Sequence, residues 1–573
     1  MTEQLTIISE RVDDIPLLLA QLERMGVQPL LDEHFPTHGN WMGLSLGWVG
    51  VLWLTHLVSQ ADHRLNHVEP WAEQRLQTLR RCTGQRIHPL DVSDDRLAGL
   101  LEAWSDDECW CTFEGALTQQ LLRVYDLQPQ RVRLDSTTAN GYWGVTEDGL
   151  FQLGHSKDHR PDLPQVKVML AALDPMGMPV ATDVVPGQRA DDPLYVPAIT
   201  RVRASVARRG LLYVGDCKMS AMETRAFLQA GGDYYLCPLS ALQVPPEVLE
   251  GYVAPVWTGQ QPLTRVYRTA ANGKRQLVAE GYERLEPLTA VVGGEPLPWT
   301  ERRLVIRSRL LAQAGERGLR ARLTKAQAAV EALTARRQGK PRLTQLPALQ
   351  AAVEAILRRY RVEGLLAVRY EERVQERAVR RYRDRPARVQ VAREVLVDTR
   401  VDREAVATAV RRLGWRVYAT TQPADQLSLA QAVLAYRNEY LIERNMGRLK
   451  GRPLSLTPMY LERDDHATGL IRLLSIGLRV LTLLEFVVRR RLAAEQSALA
   501  GLYAGNPKRA TAHPTAERVL ESFEGLTLTI IQEGRCRRYH LTPLSSLQQR
   551  ILALLDFPVD LYTRLCADFH KPP

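Results

Sequence analysis

"QVKVMLAALDPMGMPVATDVV", residues 165 to 185, decides the fold. Residues 165–173 form a nearly continuous apolar run of strand length. "DPMG" is a turn, and "MPVATDVV" (178–185) returns as the second arm of a hairpin. Upstream, "RVRLDSTT" (131–138) alternates, with Val132 and Leu134 on one face and Asp135 on the other. Downstream come a helical segment near 194–209, the buried strand "LLYVGD" (211–216), the helix "MSAMETRAFLQAG" (219–231) and the short strand "DYYLCPL" (233–239). Strand, strand, strand, helix, strand, helix, strand is an α/β order, and it predicts a mixed sheet with flanking helices.

Further out, the pattern changes twice. Residues 1–125 read as a helical N-terminal domain for DNA binding or dimerisation. Apolar residues recur at three and four in "DDIPLLLAQLERMGVQPLLDEHF" (13–35) and in "SDDRLAGLLEAW" (93–104), where Ser93 is placed as an N-cap. Beyond 240, residues 245–305 suggest short strands, and 308–360 a charged helical pair broken at "QGKPR" (338–342). "GLLAVRYEERVQERAVRRYRDRPARVQV" (364–391) reads as Arg-rich extended chain, and "GWRVYATT" (414–421) as a last strand. The expected division is 1–125, then a first core part at 126–240, an insertion at 241–425, the completion of the core at 426–495, and a C-terminal segment at 496–573.

With 573 residues, 45% hydrophobic and 24% charged, this is the composition of a soluble globular chain of several domains. The net charge of +10, mostly from Arg, favours polyanionic partners. Seven scattered cysteines show no zinc or redox spacing and read as free thiols. The twelve histidines form no HExxH pattern, and "GHSKD" is not a nucleotide-cradling loop. The start "MTEQLTIISERVDD" lacks the pattern of a secretion signal. Two apolar runs, 42–58 and 470–488, hold His56 in the first and Arg472, Arg479 and Glu485 in the second, and so read as core helices. A cytoplasmic protein with no membrane partner is expected.

The chemistry gathers around "AYRNEYLIERNMGRLKG" (435–451). Read as one helix, it sets Tyr436, Glu439, Glu443 and Lys450 within roughly 60° of one another, beside an apolar stripe of Ile442, Met446 and Leu449. Asp135 stands mid-strand, and Asp216 closes "LLYVGD", at the edge where an α/β sheet binds its ligands. Two strand aspartates and one helical glutamate can converge as an all-oxygen site for two Mg²⁺ ions, which clamp both oxygens of a phosphoryl transfer. The chain has 65 acids, so position alone singles these out. Asp158 and Asp162 are rivals on a loop that fixes a carboxylate less firmly. Lys157, Asp158, His159 and Arg160 read equally as a site lining or a solvated loop. Asp191–Asp192 and Asp464–Asp465 read as turn and cap residues, Lys218 as a surface lysine, and the Arg run at 377–393 as DNA-contacting or solvated.

These residues carry a resemblance. The chain resembles DDE transposases of bacterial insertion sequences, the group whose catalytic Glu lies in a Tyr-x2-Arg-x3-Glu-x6-Lys helix. Tyr436, Glu443 and Lys450 match at the right spacing, with Glu439 in the Arg slot. "RLDSTTANGYW", "GHSKDHRPDLPQ", "YVGDCKMSA", "GRPLSLTPMYLERDDHATGLIRLLSIGLRVLTLLE" and "GLYAGNPKRATAHPTAERVLESF" extend it along most of the chain. The resemblance implies an RNase H-like core interrupted by a large insertion, which the 227-residue gap from Asp216 to Glu443 accommodates. It implies Asp135, Asp216 and Glu443 as catalytic and metal-binding residues for two Mg²⁺ ions, with Mn²⁺ as a substitute. Tyr436, Lys450, Lys157 and Arg160 are implied as DNA contacts. The implied partners are the element's terminal inverted repeats, target DNA and a second copy of the chain, with nucleoid association on DNA. The rival readings are a nuclease of the same fold without strand transfer, and a catalytically dead transposase-derived DNA-binding protein.

Overall fold

The computed structural model describes residues 5–567 apart from 38, 143, 270–272, 336–342, 344, 381–387, 462 and 535. The chain divides into two compact units. The first comprises Met1–Cys237, Thr289–Trp299 and Ala435–Pro573, the second Pro238–Leu288 and Thr300–Leu434.

In the first unit the strands Arg131–Asn140 (β1), Gln165–Leu173 (β2), Met178–Pro186 (β3), Leu212–Gly215 (β4) and Tyr234–Pro238 (β5) lie side by side in the order β3-β2-β1-β4-β5. The hairpin expected at 165–185 makes β2 and β3 antiparallel, and β1 runs antiparallel to β2. β4 is parallel to both β1 and β5. Helix Tyr195–Val206 (α1) connects β3 to β4, and Met222–Ala230 (α2) is the crossover from β4 to its parallel neighbour β5. All nine residues of β2 are buried, so its nearly continuous apolar run is explained by cover on both faces. The sheet is mixed, as the sequence order predicts.

Later helices complete this unit: the last turn, from Ala435, of Leu429–Arg437 (α3), then Tyr440–Lys450 (α4) and Asp464–Ala494 (α5). The apolar run 470–488 lies inside α5, and its charges are paired: Arg479 with Glu114 at 2.7 Å, both fully buried, and Arg472 with Asp107. No helix among the described residues is long and apolar enough to cross a membrane. The run at 42–58 likewise lies mostly in a core helix, Leu46–Gln60, capped by Ser45. Ser93 occupies the N-cap position of Asp94–Ser105 without making a side-chain cap bond. One segment of the expected helical region differs. Leu5–Arg11 is a strand, paired with Thr527–Glu533, which pairs in turn with Cys536–Leu541. "LTIIS" is β-branched and too short to build an apolar helical stripe, so a partner strand from the far end of the chain decides its state.

In the second unit, Pro246–Trp257 is a helix where the sequence suggests strands. Pro246 opens it at a position that needs no N–H, and Tyr252 and Val253 are buried on its inner face. The strands Arg275–Val292 and Glu295–Ser308 are long, 18 and 14 residues, and belong to this unit except for their joined tips at Thr289–Trp299. Helices Arg309–Thr334 and Leu346–Tyr360 pack Val330, Leu349 and Val353 against Val395 and Val397 of the two-stranded ladder Leu366–Val379/Arg388–Val401. The predicted break at 338–342 and residues 381–387 of the Arg-rich run lie outside the described residues.

Candidate active site

The site begins with a register. β1 and β4 pair in parallel up to Leu134 opposite Gly215, and the next residues on the two strands are Asp135 and Asp216. Neighbouring strands are about 4.8 Å apart, so the two aspartates emerge side by side. Their charges interact. Burial raises the Asp135 carboxyl above its ordinary range, the Lys157 ammonium opposes that, and the charge of Asp216 adds to it. Asp135 Oδ1 accepts from the Ser136 amide at 2.8 Å and from Lys157 Nζ at 3.4 Å. Asp216 Oδ1 accepts from the Tyr195 hydroxyl at 2.7 Å and from the Lys218 amide at 2.9 Å. Tyr195 is buried in the first turn of α1, and burial together with Asp216 drives its phenol well above the ordinary value, so it stays a neutral donor.

The helical half departs from the single helix expected over 435–451. α3 ends at Arg437 and α4 starts at Tyr440, and the joint is closed by tight bonds from Asn438 N to Ala435 O (3.3 Å), Glu439 N to Tyr436 O (3.0 Å) and Ile442 N to Glu439 O (3.0 Å). Spacing three rather than four winds the chain faster, so a uniform helical wheel misplaces Tyr436 relative to the acids. Tyr436 is hydrogen-bonded to Glu439. Burial raises the Glu439 carboxyl to about 7; Tyr436 opposes the rise, and the charges of Asp135, Glu443 and Asp216 add to it. The acid in the Arg slot thus feels both strand aspartates and Glu443. Glu443 is exposed in the first turn of α4, where the helix dipole favours a carboxylate. Ile442, Met446 and Leu449 are buried, as the stripe predicts.

The basic residues proposed as DNA contacts all have acid partners. Lys157 reaches Ser136 Oγ at 2.9 Å and the Ser136 carbonyl besides Asp135. Lys450 pairs with Asp158 Oδ1 at 2.5 Å and reaches Thr138 O at 3.4 Å, tying α4 to β1 and to the 157–160 loop. Arg160 pairs with Asp162 at 2.8 Å on an exposed loop. Asp191 is more than a turn residue. Its backbone carbonyl does accept from Leu194 N, but its carboxylate takes Lys167 at 2.7 Å and Ser136 Oγ at 3.0 Å, which joins it to the Asp135 neighbourhood. Burial works against its charge, yet the Lys167 hydrogen bond and the Lys157 charge hold its carboxyl below the ordinary range. The signal for this partner is in the sequence. Lys167 is a charge amid an apolar strand, and a buried ammonium demands an acid. Nothing comparable points to Tyr195.

Asp135 and Asp216 feel each other's charge, and Glu439 feels both of them and Glu443. These are hard oxygen donors of the kind that suits a divalent ion, although no three of them bring ligand atoms within 4.8 Å of one another. A separate group, Glu102, Asp465 and His466, brings ligand atoms within 4.8 Å of one another, but Asp465 is already held by Arg463.

The carboxylates close adjacent parallel strands at the edge where an α/β sheet binds its ligands, with a helix that carries further acids beside them. The sequence comparison narrows this. Residues 122–478 match the family described as "Transposase DDE domain", more than half of the chain, and the chain belongs to that family. The cryo-EM structure of a piggyBac transposase synaptic complex with hairpin DNA is similar at 12% identity with a TM-score of 0.24, covering 47% of this chain and 57% of that one. The chain therefore spans a little over half the length of that solved protein. No curated protein matches it.

Proposed function

We propose that this chain cuts DNA at the ends of a transposable element and joins the freed ends to target DNA, with Asp135, Asp216 and Glu443 holding two divalent ions. The observation that carries the reading is the adjacency of Asp135 and Asp216 one step beyond the last register pair of β1 and β4. The charge of both at Glu439, one turn before Glu443, supports it.

In the first step a water oxygen attacks a phosphodiester at the element's end. The new P–O bond forms as the P–O3′ bond breaks, leaving a 3′-OH on the element and a 5′-phosphate on the flank. In the second step that 3′-OH attacks a target phosphodiester and displaces the target's own 3′-oxygen. Bound ions supply activation of the attacking oxygen and charge stabilisation at the leaving one. The strand aspartates give that site its fixed half. Tyr195 aims the Asp216 carboxylate, and Tyr436 holds Glu439. Lys157 and Lys450 border the acids and offer ammonium groups to DNA phosphates, with Arg160 further out on the loop. The partners are the terminal inverted repeats, target DNA and a second copy of the chain across paired ends. The setting is the cytoplasm, on nucleoid DNA, with Mg²⁺ as the ion and Mn²⁺ able to replace it.

Asp135→Ala, Asp216→Ala and Glu443→Gln are each expected to abolish Mg²⁺-dependent end cleavage while end binding in a gel-shift assay persists. Wild-type cleavage by any of the three removes that residue from the site. Incubating cleaved ends with a supercoiled plasmid separates transposition from simple nuclease action, which leaves the ends unjoined.

A further inference from the structure

Behind the site, besides the Asn445 bond to the Gly177 carbonyl and the Lys450–Asp158 pair, one buried carboxylate takes two arginines of α4. Glu485 of α5 is 3% exposed. Its Oε1 accepts from Arg444 and from Arg489, the latter at 2.7 Å, and its Oε2 from Arg448 at 2.5 Å and from the Ala516 amide at 3.4 Å. Arg448, also buried, gives its Nε and Nη2 to Glu517 at 2.7 and 3.0 Å. Arg444 and Arg448 are four residues apart and share a face of α4. Glu443 and Gly447, also four apart, form the exposed face next to it.

We infer that Glu485 is a positioning residue, fixing the rotation of α4 about its axis and so the reach of Glu443 into the site. The inference rests on the proposed role of Glu443 in holding a divalent ion. The apolar stripe of Ile442, Met446 and Leu449 buries one side of α4 but resists rolling weakly, because dispersion contacts have no direction. Two guanidiniums on a single carboxylate do have direction. With a helix radius of about 5–6 Å including side chains, a roll of about 20° moves a side-chain tip by about 2 Å. A misplacement of about 1 Å at a reacting centre can cost on the order of 10²-fold. A buried ionic group is better suited to choosing one geometry than to adding stability. Three arginines converge on Glu485, and two of them, Arg444 and Arg448, follow Glu443 within five residues on the same helix.

The test reads metal binding on the full chain. Glu485→Asp keeps the charge and shortens the reach by one methylene, so the fold is retained, which a melting curve within a few degrees of wild type checks. Calorimetric titration with Mn²⁺ is expected to show about tenfold weaker binding in Glu485→Asp. In the Glu443→Gln background the same substitution should cost nothing further, because its effect passes through Glu443. Glu485→Asp binding Mn²⁺ as tightly as wild type overturns the inference, as does a full tenfold further loss in the Glu443→Gln background. Failure of wild type itself to bind Mn²⁺ overturns the functional reading beneath it, and this inference falls with it.

Discussion

Asp135 and Asp216 are placed by backbone, whereas Glu439 and Glu443 are placed by side chains. The aspartates follow directly on the β1–β4 ladder, whose hydrogen bonds fix the strand spacing before any side chain packs. The glutamates sit on a short helix that begins at a broken turn and is anchored by an apolar stripe, the Glu485 hub and the Lys450–Asp158 pair. The backbone position of the strand half is therefore fixed by the ladder, with neighbours such as Tyr195 only aiming its carboxylates, whereas the helical half can be shifted bodily by residues that touch no substrate. Substitutions in the two halves should differ in kind as well as in size.

The largest effect, which Glu443 shares with the two aspartates, separates the two acids of the helical half. Glu443→Gln should lower end cleavage by about 10³-fold, the several kcal/mol that a metal-holding carboxylate supplies. Glu439→Gln should leave most activity, since burial already raises its carboxyl to about 7 and so weakens its hold on a full negative charge at neutral pH before an ion binds. Single-turnover cleavage of an end oligonucleotide decides. If the dead variant is Glu439→Gln and the active one Glu443→Gln, the signature spacing names the wrong acid. Next in size, Tyr195→Phe removes the hydroxyl that donates to Asp216 at 2.7 Å. A hydrogen bond to a charged group contributes about 1.5–3 kcal/mol, so a loss of about 10- to 100-fold in cleavage with unchanged end binding is expected.

Much of this was legible in the letters. The strand order, the hairpin at 165–185 and the acid closing "LLYVGD" follow from periodicity and turn residues, because strands buried on both faces write their burial into nearly continuous apolar runs. Local patterns fail where a distant segment decides. Leu5–Arg11 is a strand because Thr527–Glu533 pairs with it, and Tyr195 meets Asp216 only after α1 folds back on the sheet. The 435–451 stretch fails for a subtler reason. Its apolar stripe is right, but the wheel assumes constant winding, and the tight turn at Asn438–Glu439 changes the phase between Tyr436 and Glu443.

Glu439 also gives the helical half a pH signature that the strand half obscures. Its folded value near 7 stands above an ordinary 4.5. The neutral carboxyl is therefore favoured by the fold, and its contribution is whole below pH 4.5 and is lost as pH rises through 7. In metal-free buffer Glu439→Gln should match wild type in stability at pH 4.5 and exceed it at pH 8, by at most about 3 kcal/mol. Denaturant melts at the two pH values measure the difference. An equal gap at both would mean that the substitution acts through packing rather than charge.

The smallest effect separates folding from DNA contact at one position. Gly447 is exposed on the Glu443 side of α4, and a Cβ built there meets nothing within 4 Å. Glycine inside a helix costs about 1 kcal/mol relative to alanine, with no packing reason here to keep it. Gly447→Ala should therefore stabilise the metal-free protein by about that amount. If a DNA backbone passes close over this face, the added methyl meets it, and end binding should weaken several-fold although the protein alone is more stable. Stabilisation with unchanged end binding would move the DNA path away from α4 and leave Lys450 bound to Asp158 as a brace for the helix rather than a phosphate contact.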